Sequence, residues 1–395
     1  MWYKSITSRY IVKKFYFTIP LRGLVCKMSI YQDIGLRRVI NASGRMTILG
    51  VSTLSDEVAQ AAVAGGQSYV VMEELIDKAG EIISSYTGAE DSCPTSCASA
   101  AIALTIAGLI SKGKKSIIGR LPDSTGLANE VVLQKGHSIE YGVPMPTMIR
   151  LGGGIPVEAG CANEVVSEDI EEAITDKTVA LLYIKSHHCV QKGMVDMKTM
   201  MEIAHKHNLP FMVDAAAEED FKKYIALGAD LVCYSGAKAL EATTSGFVTG
   251  KKEYISYVKK QYKGIGRAMK IGKEGIMGLL KALESYANKD HAKEVADNLE
   301  IVKYLCDKIN QIKGLHAEQI QDEAGRAIYR ARVTLEPSYT GLSMEEINKK
   351  LRAGDPTIYC RTEFLNLGKL DFDPRPLVDG DKELIVEKLK GIMEA

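Results

Sequence analysis

Net charge is the first thing this sequence lacks. Its 50 lysines and arginines balance 50 aspartates and glutamates, which removes the general electrostatic case for a nucleic-acid or anionic-membrane partner. It has no apolar run long enough to span a bilayer. Its eight cysteines include no CxxC pair, and Cys93 and Cys97, four apart, have no second pair to complete a metal site. They read as reduced thiols of a cytosolic protein. There is no GxGxxG stretch, and no GK[ST] follows Gly152-Gly153-Gly154. A dinucleotide fingerprint and a Walker A loop are therefore excluded, and the glycine triple reads as a turn. Internal repeats and low-complexity segments are absent.

Acids are missing altogether from residues 1–27, which are basic and aromatic. Their longest apolar stretch, Phe15 to Leu21, contains Pro20 and stops at Arg22, too short for a signal peptide. A disordered extension, a weak surface-binding arm and true initiation at Met28 are the three readings, and the last is favoured.

What is present is an alternation of apolar strands and helices. Strands are expected at Arg38 to Ile40, Ser116 to Gly119, Val131 to Gln134, Thr178 to Ile184, Pro210 to Val213, Asp230 to Tyr234 and Gly246 to Gly250. Helices are expected from Ser55, over Val71 to Tyr86, through Leu109, and at Asp196 to His207 and Glu218 to Leu227. Continuous apolar strands separated by short helices imply βαβ units and a mostly parallel sheet buried on both faces. After Gly250 come a charged helix, Lys251 to Lys263, and a long helix, Ala287 to Ile312. A smaller α+β unit follows, with strands at Ala327 to Thr334, Thr357 to Arg361 and Leu365 to Asp371 and helices at Met344 to Arg352 and Lys382 to Met393.

Ligands of such sheets bind at the carboxyl ends of the strands. His187, His188, Asp214 and Lys238 all fall there. Lys238, in Ser235-Gly236-Ala237-Lys238, is an exposed loop lysine or a lysine that binds pyridoxal phosphate (PLP) through its amine, with Ser235 near the cofactor phosphate. Asp214 is a helix cap or the carboxylate opposite a pyridine nitrogen. The small residues Thr95 to Ser99 open either a capped core helix or an anion site at a helix amino terminus. Adjacent histidines point in different directions, so His187 and His188 suit acid–base work or polar contact better than metal ligation. His205 and His207 read as helix C-terminal residues that complement the dipole. Lys259, Lys260, Lys263, Arg267, Lys270 and Lys273 are a solvated face or a site for a phosphorylated or carboxylated substrate.

In this order, VINASG, PTSCASAA, KGHSIEYG, GGGIPVEAG, VDAAAEED, YSGAKALEATTSGFVTGKK, GRAMKIGKEG and PTIYCRTEFLNLGKLDFDPRPL resemble fold-type-I PLP enzymes. The match is to the group containing bacterial selenocysteine synthase and D-glucosaminate-6-phosphate ammonia-lyase. It runs from about Ile40 to Leu377, and YIKSHHCVQKGM resembles the ammonia-lyase branch. The resemblance implies an α/β fold: an aspartate aminotransferase-like large domain with a mostly parallel sheet, plus a small α+β C-terminal domain. The expected boundaries are an extension at 1–27, a PLP-binding domain at 28–255 with an arm at 28–50, linker helices at 256–290 and the small domain at 291–395.

The resemblance also implies roles. Lys238 would carry the cofactor and Asp214 would face its pyridine nitrogen. Ser96, Cys97, Ala98 and Ser235 would surround its phosphate, and His137 would lie near its ring face. The implied reaction is loss of water and ammonia from D-glucosaminate 6-phosphate, with Lys238 as base and His187, His188 or His137 as acid. Arg267, Lys270 or Lys273 would hold the distal phosphate, and Arg361 or Arg375 the carboxylate. A cytoplasmic homodimer or larger oligomer with shared sites is expected. The alternative is a selenocysteine synthase-like transferase, or another PLP-dependent β-elimination or transamination. Two departures bear on it: from Met28 there is no room for the amino-terminal tRNA domain, and the asparagine-rich phosphate loop is replaced by TSCASA.

Overall fold

A computed structural model describes residues 30–323 and 325–395, so the expected extension at 1–27 lies outside the described residues. Twelve strands occur among the described residues: β1 Val39–Ala42, β2 Asp91–Thr95, β3 Glu130–Gln134, β4 Ile155–Ala159, β5 Thr178–Ile184, β6 Phe211–Asp214, β7 Leu231–Ser235, β8 Gly246–Gly250, β9 Leu315–Gln321, β10 Tyr329–Leu335, β11 Thr357–Cys360 and β12 Leu370–Phe372. The chain divides into two compact units. The larger comprises Arg45–Lys293 and Asp322–Ala327, and the smaller comprises 30–44, Glu294–Gln321 and Ile328–Ala395.

The larger unit is built on a seven-stranded sheet in the order β2-β8-β7-β6-β5-β3-β4. Pairing from β7 through β4 is parallel, and β8 runs antiparallel to both β7 and β2. TVALLYI forms β5 and is buried at every position but Tyr183, as a central strand covered on both faces must be. The helix Ala98–Ser111 is buried at every residue except Ser99, which its small and aliphatic composition allows all round its surface. Two apolar cores result, one on each side of the sheet.

The smaller unit pairs β9, β10 and β12 in an antiparallel sheet and β1 with β11 in a parallel one. That second pairing runs from Val39↔Thr357 to Ala42↔Cys360, so residues 30–44 group with this unit and not with the larger one as expected. The expected linker at 256–290 groups with the larger unit. Its helix Lys273–Ala287 buries Ile276, Leu279, Ala282 and Leu283. Met277 approaches Gly65 so closely that a Cβ there would lie 2.7 Å from its Cγ.

Four expected elements differ. Ser116–Gly119 is not a strand but lies in a one-turn helix, Lys115–Ile118, which buries Ile118 and leaves Lys115 in solvent. Glu218–Leu227 is helical only over Lys223–Ala226, because Asp220 Oδ1 accepts the backbone N–H groups of Lys222 and Lys223 and ends the preceding turn. The long helix over Ala287–Ile312 is His291–Ile309, separated from Lys273–Ala287 by a break in which Asp290 accepts from Lys293 N. Leu365–Asp371 begins as a 3₁₀ turn, Leu365–Leu367, and Gly368 at φ 70° turns the chain into β12.

Candidate active site

The parallel strands β5, β6 and β7 lie side by side, with Ile184 opposite Asp214 and Asp214 opposite Cys233. Their carboxyl ends therefore bring three loops together. Asp214, the last residue of β6, is 8% exposed. Its Oδ1 accepts from Ala216 N at 3.1 Å. Burial raises its carboxyl above the usual range, and the Lys238 amine opposes that shift.

Lys238 is half-buried, three residues past the end of β7. Burial lowers its amine, Asp214 pulls it back up, and the Arg326 guanidinium lowers it further. Backbone contacts fix the surrounding loop. Gly236 N donates to Ser245 O at 2.9 Å, Ala242 N to Gly236 O at 3.0 Å, and Ser52 Oγ to Ala237 O at 2.7 Å. Thr243 Oγ1 ties the same loop to Gly275 O in the helix Lys273–Ala287, at 3.0 Å.

The loop after β2 supplies a helix amino terminus. Cys97 caps the helix Ala98–Ser111, its Sγ accepting from Ala100 N at 3.3 Å, while Thr95 Oγ1 donates to Cys97 O at 2.9 Å. Gly246, which opens β8, runs against this turn, and a Cβ there would lie 2.5 Å from Cys97 C and 2.7 Å from Ala98 N. Ser235 pairs with Gly246, so the loop bearing Lys238 and the helix amino terminus are joined through two strand ends.

The histidines separate by environment. His137 is 2% exposed and packs edge-on against Tyr183, with ring centroids 4.6 Å apart. Burial and the Lys185 ammonium push it down to about 4. His187 is half-buried and His188 exposed, their rings 4.0 Å apart. His205 pairs with Asp230 at 2.9 Å, and His207 pairs with Glu171.

The basic residues separate too. Lys259 pairs with Asp91 and Asp77, and Lys263 with Glu73. Lys273 donates to Ser68 O and lies over the Tyr69 ring. Arg267 and Lys270 are exposed. Arg361 and Arg375 belong to the smaller unit. Arg375 holds both oxygens of the fully buried Asp373, at 2.9 and 2.7 Å, and Arg361 pairs with Glu363.

Two residues close to these were not singled out in the sequence, although Tyr141 lies within KGHSIEYG. Tyr141, in the loop after β3, lies 3.4 Å from Ser99 Oγ through its hydroxyl, and Asp214 and Cys97 both act on it electrostatically. Arg326 reaches His187 and acts electrostatically on Lys238 from a segment 88 positions beyond Lys238. A cleft of about 710 Å³, lined by Pro122–Glu130, Gly153 and Gly154, opens at the opposite, amino ends of β3 and β4 and contains none of these side chains.

A sequence profile described as L-seryl-tRNA selenium transferase (SelA) matches residues 39–343. The chain belongs to that family. It is 48% identical over 366 residues to D-glucosaminate-6-phosphate ammonia lyase of Salmonella typhimurium, covering 93% of this chain and 98% of that one. It is 40% identical over 365 residues to 5'-C-glycyluridine monooxygenase-decarboxylase of a Streptomyces species, covering 92% of each. A solved structure of D-glucosaminate-6-phosphate ammonia-lyase superimposes with a TM-score of 0.87 at 48% identity, covering 93% of this chain and 98% of that one. The fold is that of fold-type-I PLP enzymes, the protein is an enzyme, and its cofactor is PLP. No helix among the described residues is long and apolar enough to cross a membrane.

The residues present fit that cofactor. Lys238 Nζ forms no hydrogen bond or ion pair among the described residues, although burial depresses its amine. A buried carboxylate stands near it, and a helix amino terminus is held against β8 without room for a Cβ. Tyr141→Phe is expected to weaken PLP retention about tenfold, one neutral hydrogen bond's worth. Loss of the visible cofactor band during dialysis measures it.

Proposed function

We propose that this family member is a PLP-dependent ammonia-lyase that converts D-glucosaminate 6-phosphate to 2-dehydro-3-deoxygluconate 6-phosphate and ammonia. The observation that carries the reading is 48% identity across 93% of this chain and 98% of the Salmonella ammonia lyase.

When bound, PLP supplies an electron-accepting ring conjugated to the substrate nitrogen, which acidifies the C2 proton. Asp214 offers a buried carboxylate that would keep the pyridine nitrogen protonated. Ser96, Cys97 and Ala98 at the helix amino terminus, with Ser235, would hold the phosphate. His137, buried and neutral at physiological pH, would lie near the ring.

Lys238, biased by burial toward its uncharged form, takes the C2 proton. The C3 hydroxyl leaves as water with a proton from His187 or His188. His137 is a poor donor, since a ring held at about 4 lacks the imidazolium proton at neutral pH. Hydrolysis of the released enamine returns that water, so the net loss is ammonia. Arg267, Lys270 or Lys273 would hold the 6-phosphate, and Arg361 or Arg375 the carboxylate. The enzyme acts in the cytoplasm as a homodimer or larger assembly.

Phosphate recognition is tested by a panel of amino sugar acids with and without the 6-phosphate. Removing the phosphate should lower kcat/KM about 100-fold, the value of one or two charged hydrogen bonds. Release of 2-keto acid from the unphosphorylated compounds alone would remove the role of the basic cluster.

A second reading has its own support, the 40% identity to the Streptomyces monooxygenase-decarboxylase over 92% of each chain. It predicts oxygen uptake and carbon dioxide release from a nucleoside-linked amino acid. An oxygen electrode separates the two.

A further inference from the structure

Arg326 is held from three sides. Its Nε and NH2 donate to the two carboxylate oxygens of Asp322 at 2.9 and 3.0 Å, and the Asp322 side chain is 2% exposed. Its NH1 donates to Ala217 O at 3.2 Å. Its NH2 lies 3.4 Å from Nδ1 of His187. Ala217 follows β6 and His187 follows β5. The guanidinium thus bridges the two loops that leave the strand ends beside Asp214. A bidentate pair with a buried carboxylate fixes an arginine in one orientation, which a surface pair does not.

Two charged groups act electrostatically on Lys238: the Asp214 carboxylate at the end of β6 and the Arg326 guanidinium of the segment Asp322–Ala327. Burial lowers the Lys238 amine most, the Asp214 carboxylate opposes that, and the Arg326 cation adds to the lowering. An ammonium has no lone pair to attack an aldehyde or to take a proton from carbon, so a fixed cation favours the reactive form.

We propose that Arg326 is a positioning residue of this site, clamped by Asp322 so that a permanent positive charge stands against His187 at the carboxyl ends of β5 and β6 and favours the uncharged Lys238 amine. The burial of Lys238 and the depression of its amine agree with that placement. This inference rests on the cofactor reading of the site and is independent of the substrate. It gives a purpose to the return of Asp322–Ala327 to the larger unit between β9 and β10.

The test follows PLP capture by the cofactor-free protein as a function of pH, read as growth of the visible band. In that reaction the Lys238 amine adds to the aldehyde carbon of added PLP and water leaves, so the rate reports the uncharged amine. Removing a nearby cation raises an amine's pKa, so Arg326→Gln should move the midpoint of the rate profile up by about one pH unit. Below the midpoint, capture should slow about tenfold. Arg326→Lys, which keeps the charge, should retain the wild-type midpoint. An unmoved midpoint in Arg326→Gln overturns the proposal. If that variant does not fold, Arg326→Met, which removes the same charge and keeps an unbranched side chain, should shift the midpoint in the same direction; a wild-type profile there overturns the proposal equally. Wild-type protein that captures no PLP overturns the cofactor reading and this inference with it, whereas capture with an unmoved Arg326→Gln profile overturns this inference alone.

Discussion

Lys238→Ala is expected to lower turnover by at least about 10⁴-fold and to remove the visible band of covalently held cofactor. One amine serves two purposes in the proposed reaction, holding PLP between turnovers and moving the C2 proton within one. Its loss therefore removes effects that are not additive. The amine's surroundings suit both purposes: it is half-buried at the end of β7, in a loop fixed by Ser52, Gly236 and Ser245, and its amine is depressed. Lys238→Arg should fail as badly although it keeps the charge, because a guanidinium stays protonated at any working pH. Absorbance spectra and steady-state kinetics of the two variants check this. Full turnover in either would remove Lys238 from the chemistry.

Asp214→Asn is expected to cost on the order of 10²- to 10⁴-fold in kcat, with a smaller effect on KM. The side chain closes β6 with little exposure and has one backbone donor, Ala216 N. An amide of the same shape preserves that packing but cannot hold a proton on a pyridine nitrogen. The ring then accepts electrons poorly, and the penalty falls on proton removal, not on substrate binding. The folded protein should be nearly as stable as the parent, since burial already raises this carboxyl and disfavours its charge. Kinetics with a parallel thermal melt separate the two effects. A drop in melting temperature that accounted for the activity loss would make Asp214 structural.

Burial explains which elements could be read from the sequence. TVALLYI announced β5 because a central strand has no polar face, and the strand ends placed Asp214, His187 and Lys238 on one edge. The three strands with no sequence signal, β2, β4 and β9, are all sheet edges. DSCPT in β2 tolerates Pro94, as an edge strand does. Ile155 and Glu158 of β4 are exposed, and LHAEQIQ in β9 alternates weakly. In β4 and β9 the apolar pattern that marks a strand is diluted by solvent contact on one side, whereas in β2 it is hidden by the buried polar residues Ser92 and Thr95.

The site divided in the same way. Residues attached to strand ends were legible, because the sheet carries them to a known edge. Tyr141 and Arg326 were not. Each sits in a loop without periodicity, and each reaches the site through contacts between distant parts of the chain, Tyr141 with Ser99 and Arg326 with His187 and Ala217. The basic cluster was legible as composition but not as pairing. Lys259 and Lys263 turned out to neutralise Asp77, Asp91 and Glu73, and Lys260, Lys263, Arg267 and Lys270 are the exposed members.

The most direct measurement incubates the PLP-loaded enzyme with D-glucosaminate 6-phosphate and quantifies ammonia, 2-keto acid and oxygen together. Ammonia and 2-dehydro-3-deoxygluconate 6-phosphate should appear in equal amounts without oxygen uptake. Oxygen consumption matched by carbon dioxide, or no keto acid at all from this substrate, would contradict the ammonia-lyase reading.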